Sequence, residues 1–135
     1  MCIHKVIKAF GGTGGNFYAN KKVMKYILSF SEVVQDKPVN VVANLLDRIA
    51  KTTGFDVNKC GPMRSEGEGV FRIGHQLKRI IGFNATIAHR LDFVALDCDN
   101  KSGQRRSRDL SKKYRKVAKI KRNVKWVVVE REDDL

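Results

Sequence analysis

Acidic residues are scarce in this chain. Asp and Glu number 14 against 27 Lys and Arg, leaving a formal net charge of +13 over 135 residues. A balance that basic raises affinity for polyanions, either nucleic acid or an anionic membrane, and charge alone does not choose between them. Cysteine is scarce too. Cys2, Cys60 and Cys98 are odd in number and widely spaced, and they form no CxxC pair, which excludes the usual metal and redox spacings. They are expected to be reduced thiols of a cytosolic protein. No run of about 18 apolar residues occurs, so no membrane-spanning helix is expected. The opening MCIHKVIKAFGGTGG lacks an apolar stretch of signal length. The expectation is therefore a cytoplasmic chain without a membrane partner. Internal repeats and linker-like segments are also missing, which leaves one domain over 1–135, ending in an acidic tail at 130–135.

What is there is enough for a core. Hydrophobic residues make up 42% of the chain, too many for a disordered one. IHKVIKAF (3–10) alternates like a half-buried strand, and GGTGGN (11–16) reads as a turn. Residues 20–34 place Val23, Ile27, Phe30 and Val34 at helical spacing after Asn20, a good N-cap. Pro38 suits the first turn of a second helix, whose face is Val39, Val42, Leu45, Leu46 and Ile49, with Gly54 as its stop. GVFRIGH, LKRIIGFN and RLDFVALD then read as three strands with short breaks, and short breaks imply antiparallel neighbours. A last helix from about Arg108 to Arg122, capped by Ser107, has a narrow stripe of Leu110, Tyr114, Val117 and Ile120 or Lys121. VKWVVVE (124–130) reads as a final strand or as an arm pairing with a partner. The order β-α-α-β-β-β-α-β predicts an α+β fold: a small, mostly antiparallel sheet, with two N-terminal helices packed on one face and a basic C-terminal helix.

Charge is concentrated. Residues 101–125 carry twelve basic side chains and one acid, Asp109, so most of the net charge lies in that segment. This excess points to phosphate contact by Lys101, Arg105, Arg106, Arg108, Lys112, Lys113, Arg115, Lys116 and Lys119. Tyr114 and Trp126 could stack on bases, although core positions suit them better. The acidic tail is placed to fold back on the basic helix or to keep the end solvated. A second concentration is more puzzling. Arg72, His75, Lys78 and Arg79 fall within eight positions of a strand pair.

That stretch, GPMRSEGEGVFRIGHQLKRIIGF, resembles the central hairpin of RelE/ParE-type toxins, including the HigB and phage Gp49-like branch. The resemblance lies in Gly69, Phe71-Arg72-Ile73, Gly74 and Arg79-Ile80-Ile81, followed by FVALDCDNKSGQ and a basic helix. It implies a toxin of a toxin–antitoxin pair. Most such proteins are ribosome-dependent mRNA endonucleases that use no metal or cofactor and are silenced by an antitoxin protein; the ParE branch poisons gyrase. The chemistry, attack of a ribose 2′-OH on the adjacent phosphate, needs cations on the phosphate and a group to move protons. By resemblance Arg79 and Arg72 stabilise the phosphate, Arg64 and less clearly Lys59 match a basic position before the strand, and Lys101 one after the third strand. Arg64 and Lys78 are expected to contact nucleic acid, although Lys78 stands where an aromatic is common and Gly82-Phe83 where a Tyr often sits. His75 or His89 could supply the acid or base, although neither matches a family position.

Other readings stay open. The chain could be a non-catalytic nucleic-acid-binding protein of viral or plasmid origin. Asp97, Asp99 and Lys101 at alternate positions could hold Mg²⁺ for a metal nuclease, or could begin a turn. GGTGG follows a strand and precedes a helix, but it lacks the GK[ST] ending of a P-loop and the third glycine of GxGxxG. Arg72, Arg79, His75, His89 and His4 each also admit an ordinary surface or structural role.

Overall fold

The computed structural model describes residues 3–87, 91–100 and 108–135. Nine strands and three helices are present there: β1 (His4–Gly11), β2 (Asn16–Ala19), α1 (Lys21–Ser29), β3 (Glu32–Val34), β4 (Lys37–Val39), α2 (Val41–Thr52), β5 (Met63–Gly67), β6 (Val70–His75), β7 (Lys78–Thr86), β8 (Leu91–Asn100), α3 (Arg108–Arg122) and β9 (Trp126–Val128). Seven strands form one mixed sheet in the order β5-β6-β7-β8-β2-β1-β9. Strands β5 to β8 pair antiparallel, β2 runs parallel to β8, and β9 runs parallel to β1.

This corrects the expected fold. The class is α+β, but the sheet is neither small nor simply antiparallel. The N-terminal hairpin joins β8 through a parallel pairing that skips everything between residues 20 and 90, a contact with no local signal. The second correction concerns the other face. Val23 and Ile27 of α1 and Val42, Leu45, Leu46 and Ile49 of α2 pack with Phe17, Ile73, Ile80 and Phe93 on one side of the sheet. Leu110, Tyr114, Val117 and Ile120 of α3 pack with Val6, Val70, Ile81, Phe83 and Val94 on the other. Helices therefore cover both faces, and β8 is buried continuously from Asp92 to Cys98. A strand covered on both sides must be apolar on both, which is why FVAL does not alternate.

The helices begin where asparagine can cap them. Asn20 Oδ1 accepts from Val23 N–H at 2.9 Å, and its amide donates to Leu96 O at 2.8 Å. Asn40 caps α2 through Ala43 N–H and also donates to Ile27 O. The first helix stops at Ser29, not at residue 34, and Pro38 lies in β4 rather than in a helix. The β-branched pair Val33-Val34 favours a strand, and Pro38 is tolerated because β3–β4 is a two-stranded ribbon with only edges; the two are joined by a tight turn in which Gln35 and Asp36 both have positive φ.

Two buried carboxylates stitch the central strand to the N-terminal half. Asp92 Oδ1 accepts Asn16 N–H at 2.7 Å. Asp97, only 2% exposed, accepts Lys22 Nζ at 2.6 Å and Cys98 N–H at 2.9 Å. The Asp97 hydrogen bond is the main reason that the Lys22 pKa is raised. Lys22→Met should leave Asp97 buried without its counter-charge and cost about 1–3 kcal/mol. Urea unfolding at pH 7 checks this; an unchanged midpoint would mean that the pair contributes nothing.

Candidate anion-binding site

Alternation along the strands sorts the basic residues of the hairpin. Met63, Phe71, Ile73 and Ile80 face α1 and α2. Their neighbours Arg64, Arg72 and Arg79 therefore face the α3 side. Register brings them together. Arg64 pairs with Arg72 across β5–β6, and Arg79 pairs with Gly74 across β6–β7. Gly74 is the opening between them. A Cβ built there would meet nothing nearer than Lys78 O at 4.0 Å. The result is a cleft of about 240 Å³ lined by Arg64, Arg72 and Arg79 together with Gly61, Pro62, Gly74, Gln76 and Lys78.

Arg79 is the unusual member. It is 7% exposed, and its Nε has no hydrogen-bond partner among the described residues. A buried guanidinium nitrogen without a hydrogen bond is costly, and an anion is the natural complement of the charge it belongs to. Its backbone is fixed by α1. Tyr26 Oη accepts Arg79 N–H at 3.3 Å and lies 2.8 Å from Asp99 O and 2.9 Å from Asn100 Oδ1. Burial pushes the Tyr26 pKa up to about 12, so the phenol stays neutral. Arg72 is partly engaged. Its Nε is 3.2 Å from Glu66 Oε1, although the angle is too poor for a hydrogen bond. The Lys78 ammonium turns to the opposite sheet face, 3.5 Å from Glu32 and 4.8 Å from the centre of the Phe30 ring.

The remaining expected residues fall in several places. His75 pairs with Lys78 and so shares its face. It does not line the cleft, and its Nε2 is buried without a hydrogen-bond partner. Lys101, Arg105, Arg106 and His89 lie outside the described residues. On α3, Arg108, Lys112, Arg115, Lys116 and Lys119 are exposed, whereas Lys113 turns inward to Cys98 O at 2.9 Å and Asp99 at 3.8 Å. Lys116 adds its charge to burial in lowering the pKa of His4 on β1. Tyr114 is buried in the core, and Trp126 packs edge-on against Phe83. Neither is presented to a base. A second cleft of about 280 Å³, between β5 and α3, is lined by Glu66, Glu68, Tyr114 and Arg115; its carboxylates make it a poor phosphate site.

Asp97 and Asp99 each meet a lysine, and no group of three His, Cys, Asp or Glu is placed to hold a metal among the described residues. The glycine-rich turn is tied to the wrong end of a helix for phosphate. Gly14 N–H donates to Ala50 O and Thr13 Oγ1 donates to Lys51 O, at the C-terminal end of α2. Gly54, at φ +65°, allows this approach, since a Cβ would strike Gly14 O. The acidic tail does not fold onto the basic helix. Glu132 and Leu135 lie beside Lys21, Met24 and Lys25 of α1. No helix among the described residues is long and apolar enough to cross a membrane.

No protein-family model, curated protein or solved structure matches this chain. The cleft must therefore be judged on its own chemistry.

Cys98 on β8 and Tyr26 beside it give the region a pH response. Burial raises Cys98 from 9.0 to about 11 and Tyr26 from 10.0 to about 12. Both groups hold their protons longer in the folded state than unfolded, so stability is full below pH 9 and falls as pH rises through 9–12. The fall between pH 8 and 11 should be smaller by about 1–3 kcal/mol in Cys98→Ala. Paired urea titrations measure it; equal losses in both proteins would contradict the assignment.

Proposed function

We propose that this protein binds RNA by its phosphates, using the outer face of α3 as a track and the Arg64–Arg72–Arg79 cleft as a grip. The observation that carries this reading is Arg79, a nearly buried guanidinium with an unbonded Nε, on the sheet side that also bears α3. Six exposed cations of that helix, Arg108, Lys112, Arg115, Lys116, Lys119 and Arg122, supply the sequence-independent attraction that dominates affinity for nucleic acid. A cytoplasmic location is part of the same proposal.

A narrower second reading is the ribosome-dependent mRNA endonuclease implied by the RelE/ParE resemblance, with an antitoxin as its partner. The convergence of Arg72 and Arg79 on one cleft supports it, because the reaction needs cations on the scissile phosphate. Against cutting, the cleft lining among the described residues holds no imidazole, carboxylate or phenol to move a proton, and His75 sits on the other face.

Binding of single-stranded RNA should weaken steeply with salt, and Lys112→Glu/Lys116→Glu should lower both the affinity and the salt slope, the latter by about 2. Fluorescence anisotropy from low to high salt tests this, and affinity indifferent to salt would overturn the proposal. Adding the protein to cell-free translation, with message 5′ ends mapped beside ribosome-free RNA in EDTA, separates the second reading. New ends only in the presence of ribosomes, lost in Arg79→Ala, would make the protein an endonuclease; intact message would leave it a binder.

A further inference from the structure

We infer that the arginine cleft receives a terminal phosphate of an RNA strand, a phosphomonoester, and not a phosphodiester within the strand. The inference rests on the RNA-binding reading above and specifies what its deepest contact recognises.

Access is the first argument. Arg79 is 7% exposed and lines the cleft, so a group meets its guanidinium only by entering there. An internal diester is tethered on both sides and must bring two sugars with it. A strand end is tethered on one side. The space itself is small, about 240 Å³, and it opens where Gly74 leaves the pleat without a side chain.

Charge is the second argument. A phosphomonoester carries about −1.5 to −2 near neutral pH and offers three acceptor oxygens, whereas a diester carries −1 and offers two that are unesterified. Arg64, Arg72 and Arg79 present three forked donors from adjacent strands, the geometry that suits a multiply charged oxyanion. Glu66 holds part of the charge of Arg72, 3.2 Å away, and the incoming phosphate competes with it.

The lining supplies the third argument. Among the described residues it contains, besides the basic ones, Gly61, Pro62, Gly74 and Gln76, and no aromatic ring on which a base could stack. The cleft can hold a phosphate while the base stays outside, so selectivity for the end should be independent of the terminal base. The exposed cations of α3, on the same side of the sheet, are left to hold the following nucleotides.

The test is fluorescence anisotropy with one short single-stranded RNA made in three forms: both ends hydroxyl, 5′-phosphate, and 3′-phosphate. At one or both phosphorylated ends affinity should rise about ten-fold, a gain of the size expected from charge-assisted hydrogen bonds. Arg79→Met should erase the difference, weakening the phosphorylated forms more than the hydroxyl-ended RNA. Gly74→Leu, which keeps all three arginines and fills the opening, should do the same. Glu66→Gln should widen it. Circular dichroism confirms that each variant is folded. Equal binding of the three RNAs by the unaltered protein would overturn this inference while leaving the RNA-binding reading in place. Failure of all three to bind would overturn both.

Discussion

The pairing of β7 with β8 is the constraint on which the rest of the structure depends. It is the longest ladder, nine residue pairs from Lys78↔Asn100 to Thr86↔Leu91, and it sets what lies on each face of the sheet. A side chain at Gly82 would run into Val94 O and the Phe93 ring, so only glycine lets the strands approach there. The irregularity between Ile81 and Gly82 places both Leu96 and Asp97 opposite Ile81. One residue of slip would exchange the two apolar faces and turn Arg79 toward α1. The register therefore decides that Arg79 joins Arg64 and Arg72. Tyr26 reinforces it by tying the first residues of β7 to the last of β8.

The distribution of charge makes sense on that frame. Where cations meet the buried sheet, most are answered: Lys22 by Asp97, Lys78 by Glu32, Lys113 by Asp99. Among the described residues Arg79 is the most buried basic one and has no ion-pair partner. An unanswered charge in that position costs stability, whereas the exposed cations of α3 cost little because water screens them.

Much of this was legible in the chain before folding. Caps at Asn20, the apolar faces of α2 and α3, the stop at Gly54 and the strands between 70 and 100 follow from local chemistry. The misreadings share a cause. Val33-Val34 continued a helical spacing from Val23, yet a two-residue turn and a short hairpin competed for the same residues. The parallel pairings of β2 with β8 and β1 with β9 join segments far apart in sequence. Covering of the second sheet face by α3 needed the knowledge that both faces were apolar, which is hidden when the strands are taken one by one.

The candidate site divides along the same line. By itself the sequence determined that the chain is strongly basic, that the charge concentrates after residue 100, and that Arg72 and Arg79 sit in one hairpin, since these are properties of residue type and spacing. Only the tertiary structure decided which of them share a cleft. It drew in Arg64, set Gly74 as the opening, turned the ammonium groups of Lys78 and Lys113 toward other partners, and placed His75 on the far face. The reason is physical: a side chain's face follows from strand register, and its partners from packing, and both are fixed by contacts between segments that spacing along the chain does not encode.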